Sequence, residues 1–218
     1  SHRVIAAGGT DVAGTSYILR NTQKLQAHIP MLIHPDPQYV CQIGFGSGET
    51  ARIFASYDVK RFDCVEISPV MLKMADRYFR DINGGVLGSG RCNIVLMDAA
   101  AYLRYTDRKY DIIANDATWP SQAGPAMLFT LEHFENGRRH LRPGGIMTSW
   151  LPLDMPQQDI RTVLKTFHQV FPYVYVWTAL SHLNKHALLV GCMQPLEICL
   201  LYTSDAADEL DGVDLGGR

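Results

Sequence analysis

The sequence predicts a doubly wound α/β domain, and three observations carry that prediction. A short apolar run, Tyr39 to Ile43, leads through Gly44, Gly46 and Gly48 into a helix-like segment from Glu49 to Tyr57. Two further apolar runs, Arg61 to Val65 and Asn93 to Met97, each end on a carboxylate, Glu66 and Asp98. Strand-like and helix-like segments then alternate as far as Cys192, the pattern of a parallel sheet covered on both faces.

Residues 1 to 20 are rich in glycine and alanine and suit an edge strand or hairpin. Asn21 to Ile33 reads as a short helix with Leu25, His28, Ile29 and Leu32 on one face, stopped by His34-Pro35-Asp36-Pro37. Tyr39 to Ile43 has the composition of a buried parallel strand. The glycines after it allow a sharp strand-to-helix turn and let a ligand approach the backbone where a Cβ would intrude. The helix start beyond them offers unpaired N–H groups and a positive dipole end. Glu66 falls about 20 residues past the first glycine, where nucleotide-binding folds place the acid that takes ribose hydroxyls.

Pro69 suits the first turn of a helix running to Phe79, with Ser68 as its N-cap and Val70, Met71, Met74, Tyr78 and Phe79 as its apolar positions. Asn83 to Gly90 reads as a loop, Ala99 to Arg104 as a short helix, and Tyr110 to Asn115 as a fourth strand with Asp116 at its carboxyl end. Ala117 to Gly124 is irregular and Met127 to His140 helical, and Arg142-Pro143-Gly144-Gly145 turns into a fifth strand, Ile146 to Trp150. Gln157 to Phe171 carries the broadest apolar stripe, on Ile160, Val163, Leu164, Phe167, Val170 and Phe171. Tyr173 to Thr178 and His186 to Cys192 are the last two strands.

A chain of 218 residues holds one such domain with a full core. A net charge of −2 argues against a general nucleic-acid or anionic-membrane binder. The five cysteines form no C-x-x-C pair, and Cys41, Cys64, Cys92 and Cys192 fall in apolar runs, as expected for buried reduced thiols in a cytoplasmic protein. No apolar stretch approaches the ~20 residues of a membrane helix. The eight histidines are scattered along the chain, so no metal site is expected, and His28, His133 and His168 read as structural or surface residues. Of the tryptophans, Trp150 and Trp177 read as core, and Trp119 alone sits in a loop where a substrate contact is expected. From Cys199 the composition shifts to acids and small residues, and the segment resembles a translated sequencing-library adapter. The expected organisation is therefore a segment of residues 1–34 leading into the domain, a domain over 35–198 that is cut short at its C-terminal end, and a non-native tail over 199–218. The opening at Ser1, without an initiator methionine, reads as a piece of something longer.

The ordered motifs H-P-x-P, I-G-F-G-S-G-E-T, V-E-I-S-P, M-D-A-A-A-Y and Y-D-I-I-A-N-D-A-T-W-P resemble those of the spermidine synthase family of aminopropyltransferases, over roughly Gln23 to Cys192. They most resemble the spermidine-synthase-like branch that is sometimes fused to membrane segments. The resemblance implies a class I methyltransferase-like fold, a Rossmann-like sheet of seven strands with an antiparallel last strand over Asn184 to Cys192. It also implies decarboxylated S-adenosylmethionine as donor and a small-molecule amine as acceptor, with no metal. A homodimer and a fused or missing membrane segment remain compatible with it.

By the same resemblance Glu66 binds the ribose, Asp98 and the adjoining Ala99 the adenine end, and Gly44, Gly46 and Gly48 the methionine-derived chain. Gln23 stands where the family has a donor-contacting glutamine, and Asp116 matches the first aspartate of D-x-x-D-P, which receives the attacking amine. The chemistry makes the same demand, because a protonated amine must lose a proton before it can attack the carbon beside a sulfonium. Three positions depart from the family pattern: Trp119 replaces the second aspartate, Ser47 the loop aspartate, and His182 the tyrosine before the last strand. Glu49 is a candidate for restoring one of the lost charges. Ser47 also removes a charge that would repel the carboxylate of unmodified S-adenosylmethionine, so methyl transfer is an alternative. A non-catalytic ligand-binding domain of a membrane protein is another.

Overall fold

The computed structural model describes residues 2–7, 10–116, 119–120, 124–178 and 185–197. The expectations for His182 and for the 199–218 tail fall outside the described residues. A hairpin of β1 (Val4–Ala7) and β2 (Thr10–Gly14) opens the chain, followed by α1 (Tyr17–Ile33). Then come β3 (Tyr39–Ile43), α2 (Glu49–Ser56), β4 (Arg61–Glu66), α3 (Pro69–Tyr78), the single turn α4 (Arg80–Asn83), β5 (Asn93–Leu96) and α5 (Ala99–Tyr105). The second half runs β6 (Tyr110–Asn115), α6 (Leu131–Arg139), β7 (Leu141–Pro152), α7 (Gln157–Val170), β8 (Tyr173–Thr178) and β9 (His186–Cys192).

The seven strands from β3 onward form one sheet in the order β5-β4-β3-β6-β7-β9-β8. Neighbours from β5 to β7 are parallel, and β9 runs antiparallel to both β7 and β8. The chain steps outward from β3 to β5 and then returns to lay β6 on the other side of β3. That reversal opens a crevice at the carboxyl ends of β3 and β6. One apolar core, with Ala27 and Met31 of α1, Phe54 of α2 and Ala75 of α3, covers one face of the sheet. The other, with Leu103 of α5, Phe134 of α6 and Phe167 of α7, covers the opposite face. Cys41, Cys64, Cys92 and Cys192 are free and buried, and burial pushes the Cys41 and Cys64 thiols up.

Most strand limits match the sequence pattern, and the differences have local causes. Helix α1 begins at Tyr17, where the Ser16 hydroxyl accepts a hydrogen bond from the Leu19 N–H. Its buried residues are Thr22, Gln23, Gln26, Ala27, Pro30 and Met31, while Leu32 is 75% exposed. The periodicity of leucines therefore pointed to the wrong face: this helix turns glutamines inward. Similarly, α3 leaves Val70 and Met74 exposed and buries Ala75, with Phe79 just beyond it. The expected helix over 127–140 splits at Thr130, whose hydroxyl caps α6 by accepting from the His133 N–H, after a 3-10 turn over Pro125–Phe129. The expected turn at 142–145 is absorbed into β7 as an irregularity in its pairing with β6, and Gly144 takes a left-handed φ of 78° there. Asn83 to Gly90 is tighter than a plain loop, with α4 ending at Asn83 and a 3-10 turn over Val86–Gly88.

At the opposite end of the sheet from the crevice, the fully buried Asp63 carboxylate accepts hydrogen bonds from Arg61, Arg108, Asn93 and Tyr110. A buried charge needs such partners to offset its lost hydration. No helix among the described residues is long and apolar enough to cross a membrane.

Candidate active site

The crevice deepens into a cavity of about 410 Å³ at the carboxyl edge of the sheet. The parallel strands contribute residues at or near their carboxyl ends: Ile43 and Gly44 at the end of β3, Val65 and Glu66 of β4, Met97 after β5, Asp116 after β6, and Trp150 of β7. Gln23 and Gln26 of α1 form one wall, and Asp98 and Ala99 at the start of α5 form another.

The glycine loop owes its shape as much to the protein as to any ligand. Gly44 has a φ of 87°, and a Cβ there would lie 2.6 Å from the Asp116 carbonyl oxygen. Gly46 lines the cavity and turns with a φ of 55°. Gly48 does not line it: its left-handed φ of 83° starts α2, and a Cβ would strike the Phe45 ring at 2.6 Å. Ser47 also stands behind the wall, buried, with its hydroxyl donating to Gln23 Oε1 at 3.0 Å. Both were expected beside the methionine-derived chain, and packing accounts for both positions.

Glu66 is nearly buried, and it draws the loop toward β4. One carboxylate oxygen accepts from the Phe45 N–H at 2.9 Å and the other from the Ser68 N–H at 2.8 Å. Asp98 caps α5 by accepting from the Ala101 N–H at 2.8 Å, with Ala99 buried beside it. Glu49 is unavailable as a replacement charge. It is fully buried, and its carboxylate is held by Arg20 at 2.8 Å, with Arg52 at 3.7 Å.

Asp116 faces the cavity at the switch point. Burial raises its pKa to about 7, hydrogen bonds from Thr50 and Gln26 pull the other way, and the Glu66 charge adds a smaller upward push. The Thr50 hydroxyl lies 3.3 Å from Asp116 Oδ2. Trp119 lines the cavity edge-on to Trp150, with centroids 6.1 Å apart and an interplanar angle of 80°. Behind them His133 is buried and neutral, its pKa lowered to about 4 by burial, with Nε2 on Asn115 Oδ1 at 3.2 Å. It braces the end of β6 and does not line this cavity, as expected of a structural histidine.

Comparison with known proteins fits this geometry. The family model described as the spermine/spermidine synthase domain matches residues 20–190. The chain belongs to the spermine/spermidine synthase family. A polyamine aminopropyltransferase of Streptococcus uberis is 38% identical over 160 residues, covering 72% of this chain and 55% of that protein. The chain thus spans about half the length of the curated relatives it matches. The spermidine synthase of Thermotoga maritima superposes with a TM-score of 0.74 at 25% identity, covering 88% of this chain and 65% of that one. Human methyltransferase-like protein 13, solved with SAH, shares the fold with a TM-score of 0.64 at 22% identity, over 92% of this chain and 93% of that one. The Rossmann-like, methyltransferase-type fold and the antiparallel last strand are as expected.

Among the residues that escaped the sequence reading are Gln26 and Trp150, which line the cavity, and Thr50, whose hydroxyl reaches Asp116. Two were within reach. Gln26 lies three residues after Gln23 on the same helix, and Trp150 follows Ser149, which pairs with Asn115 just before Asp116.

Proposed function

We propose that the chain transfers an aminopropyl group from decarboxylated S-adenosylmethionine to an amine acceptor, in the cytoplasm, where its buried thiols stay reduced. The observation that carries this reading is a carboxyl group with a pKa near 7, set between the glycine loop and two further strand-end acids. In this reading Glu66 and Asp98 hold the nucleoside, with Ala99 against the base. Glu66 keeps free lone pairs for ribose hydroxyls after serving the two backbone N–H groups. Gly44 and Gly46 flank the methionine-derived chain, and Gln23 reaches it braced by Ser47.

The acceptor enters as an ammonium ion and gives one proton to the Asp116 carboxylate. Its nitrogen lone pair then attacks the carbon attached to the sulfonium; the N–C bond forms as the C–S bond breaks, and the electron pair goes to sulfur. The products are neutral methylthioadenosine and a secondary ammonium ion, and Asp116 later returns its proton to solvent. A base titrating near neutrality suits this task, and holding the two reactants in line supplies much of the rate.

Incubation with decarboxylated S-adenosylmethionine and a panel of amines should give methylthioadenosine and an aminopropylated amine by mass spectrometry. A methylated product from unmodified S-adenosylmethionine, and none from the decarboxylated donor, would overturn the proposal. Family membership favours aminopropyl transfer over methyl transfer and over a purely binding role. Glu66→Gln should weaken methylthioadenosine binding by ~1.5 kcal/mol or more in calorimetry, because a charged acceptor is lost. Unchanged affinity would remove Glu66 from the nucleoside site.

A further inference from the structure

Beside the main cavity lies a smaller chamber of about 270 Å³, lined by Leu25, Ile29, Trp177 and Leu188 among others. The two spaces share Thr22, Gln26, Trp150 and His186 as a common wall. An apolar cavity of about 150 Å³ already admits benzene, so this one has room for a ring and its linker. Among its described lining residues His186 is the sole titratable group, and burial pushes its pKa down. No carboxylate among the described residues lines it.

Gln26 connects the two spaces. It is 5% exposed, it lies close enough to Asp116 to pull that carboxyl's pKa down, and its Oε1 is buried without a partner. A buried amide oxygen left unpaired is costly, so the site asks for an N–H donor there. The amine of an acceptor held by Asp116 has N–H bonds to spare. Trp177 Nε1 is likewise buried without a partner, and an indole N–H only donates. A second ammonium carried into the chamber would meet that donor and no anion, at a desolvation cost that a cation–π contact offsets only in part.

On the reading that the chain is an aminopropyl transferase, we infer that its acceptor is a primary monoamine with an apolar, ring-sized tail. The nitrogen is held between Asp116 and Gln26 Oε1, and the tail passes Trp150 into the side chamber against Ile29 and Leu188. The transfer step is the one described above, with one ammonium on the acceptor in place of two.

The test compares phenethylamine with putrescine, by product formation from decarboxylated S-adenosylmethionine and by calorimetric binding to the chain saturated with methylthioadenosine. Phenethylamine should exceed putrescine roughly tenfold or more in kcat/KM, and should bind more tightly. Filling the chamber with Ile29→Trp, or with Leu25→Trp at a position 39% exposed and so safer for folding, should cost phenethylamine roughly tenfold and leave methylthioadenosine binding unchanged. Preferred turnover of putrescine, or equal losses for both amines in the two variants, would overturn the chamber assignment and leave aminopropyl transfer standing. Phenethylamine binding that is sensitive to both variants, with no turnover of any amine, would uphold the chamber and overturn the transferase reading. Absence of both binding and turnover would overturn both.

Discussion

Asp116→Asn is expected to lower kcat/KM by roughly a hundredfold or more and, above neutral pH, to raise the melting temperature. The asparagine keeps the shape of the side chain but cannot take the proton of the incoming ammonium, so the loss should appear in turnover and not in methylthioadenosine affinity. The same burial that tunes the base costs stability. Asp116 titrates at about 7 in the folded chain against an ordinary 3.8. Below the ordinary value both folded and unfolded states keep the proton, and no cost arises. Between the two values the unfolded chain ionises while the folded one holds its proton, so stability falls as pH rises, and the cost is complete above about 7. Its ceiling is about 4 kcal/mol, and water in the cavity reduces it. The variant lacks this slope. Melting curves at pH 5 and pH 8 should therefore diverge, with the asparagine form gaining at the higher pH. In the starting protein kcat/KM should rise through about pH 7 with the ionisation of the free enzyme's base. Full activity in the asparagine form would remove Asp116 from proton transfer.

Gly44→Ala should have the largest structural effect of any single methyl group added to the site. The left-handed φ of 87° costs an alanine about 1–2 kcal/mol, and its Cβ would sit 2.6 Å from the Asp116 carbonyl oxygen, a backbone atom that cannot swing aside. Relief requires β3 and β6 to part at their carboxyl ends, where Asp116 N donates to the Ile43 carbonyl at 3.0 Å. A destabilisation of about 3 kcal/mol or more in urea titrations is expected, with turnover lost even where the variant stays folded. A stable, active variant would show that this crossing is looser than the geometry implies.

The inner strands were legible because the sheet there is buried on both faces, so Tyr39–Ile43, Tyr110–Asn115 and His186–Cys192 appear as short apolar runs and end where the pattern ends; the partly exposed edge strand Tyr173–Thr178 was legible from its aromatic and β-branched residues. Glu66, Asp98 and Asp116 were legible because each is an acid at the carboxyl end of such a run, where the crevice opens, although Glu66 and Asp98 also serve backbone N–H groups there. Periodicity failed where function competes with packing. Helix α1 spends its inward face on Gln23 and Gln26, and a search for apolar repeats found Leu25 and Leu32 on its outer side. Glu49 is adjacent to the glycine loop in sequence, yet the helix turns it away to Arg20. Gly48 belongs to the loop motif but answers to the Phe45 ring. Trp150 was hidden by its chemistry, since a large apolar residue at a strand end looks like core until its neighbour across the cavity is known.

The position of β9 dictates the order in which the sheet can be completed. Among the described residues, strand β8 pairs with β9 alone, which in turn separates it from β7. As the chain leaves the ribosome, β3 to β7 can pair as each arrives, but β8 then emerges with no strand to join. Residues 186–192 must follow before β8 has a place, and until then the free edge of β7 stays open. A nascent chain that has emerged as far as Thr178 but not yet His186 would present an unpaired, largely apolar strand edge, a template for association with neighbouring chains. Pulling on the chain just beyond Cys192 should release β9 and β8 together as one cooperative unit, before the half-sheet that carries the glycine loop yields.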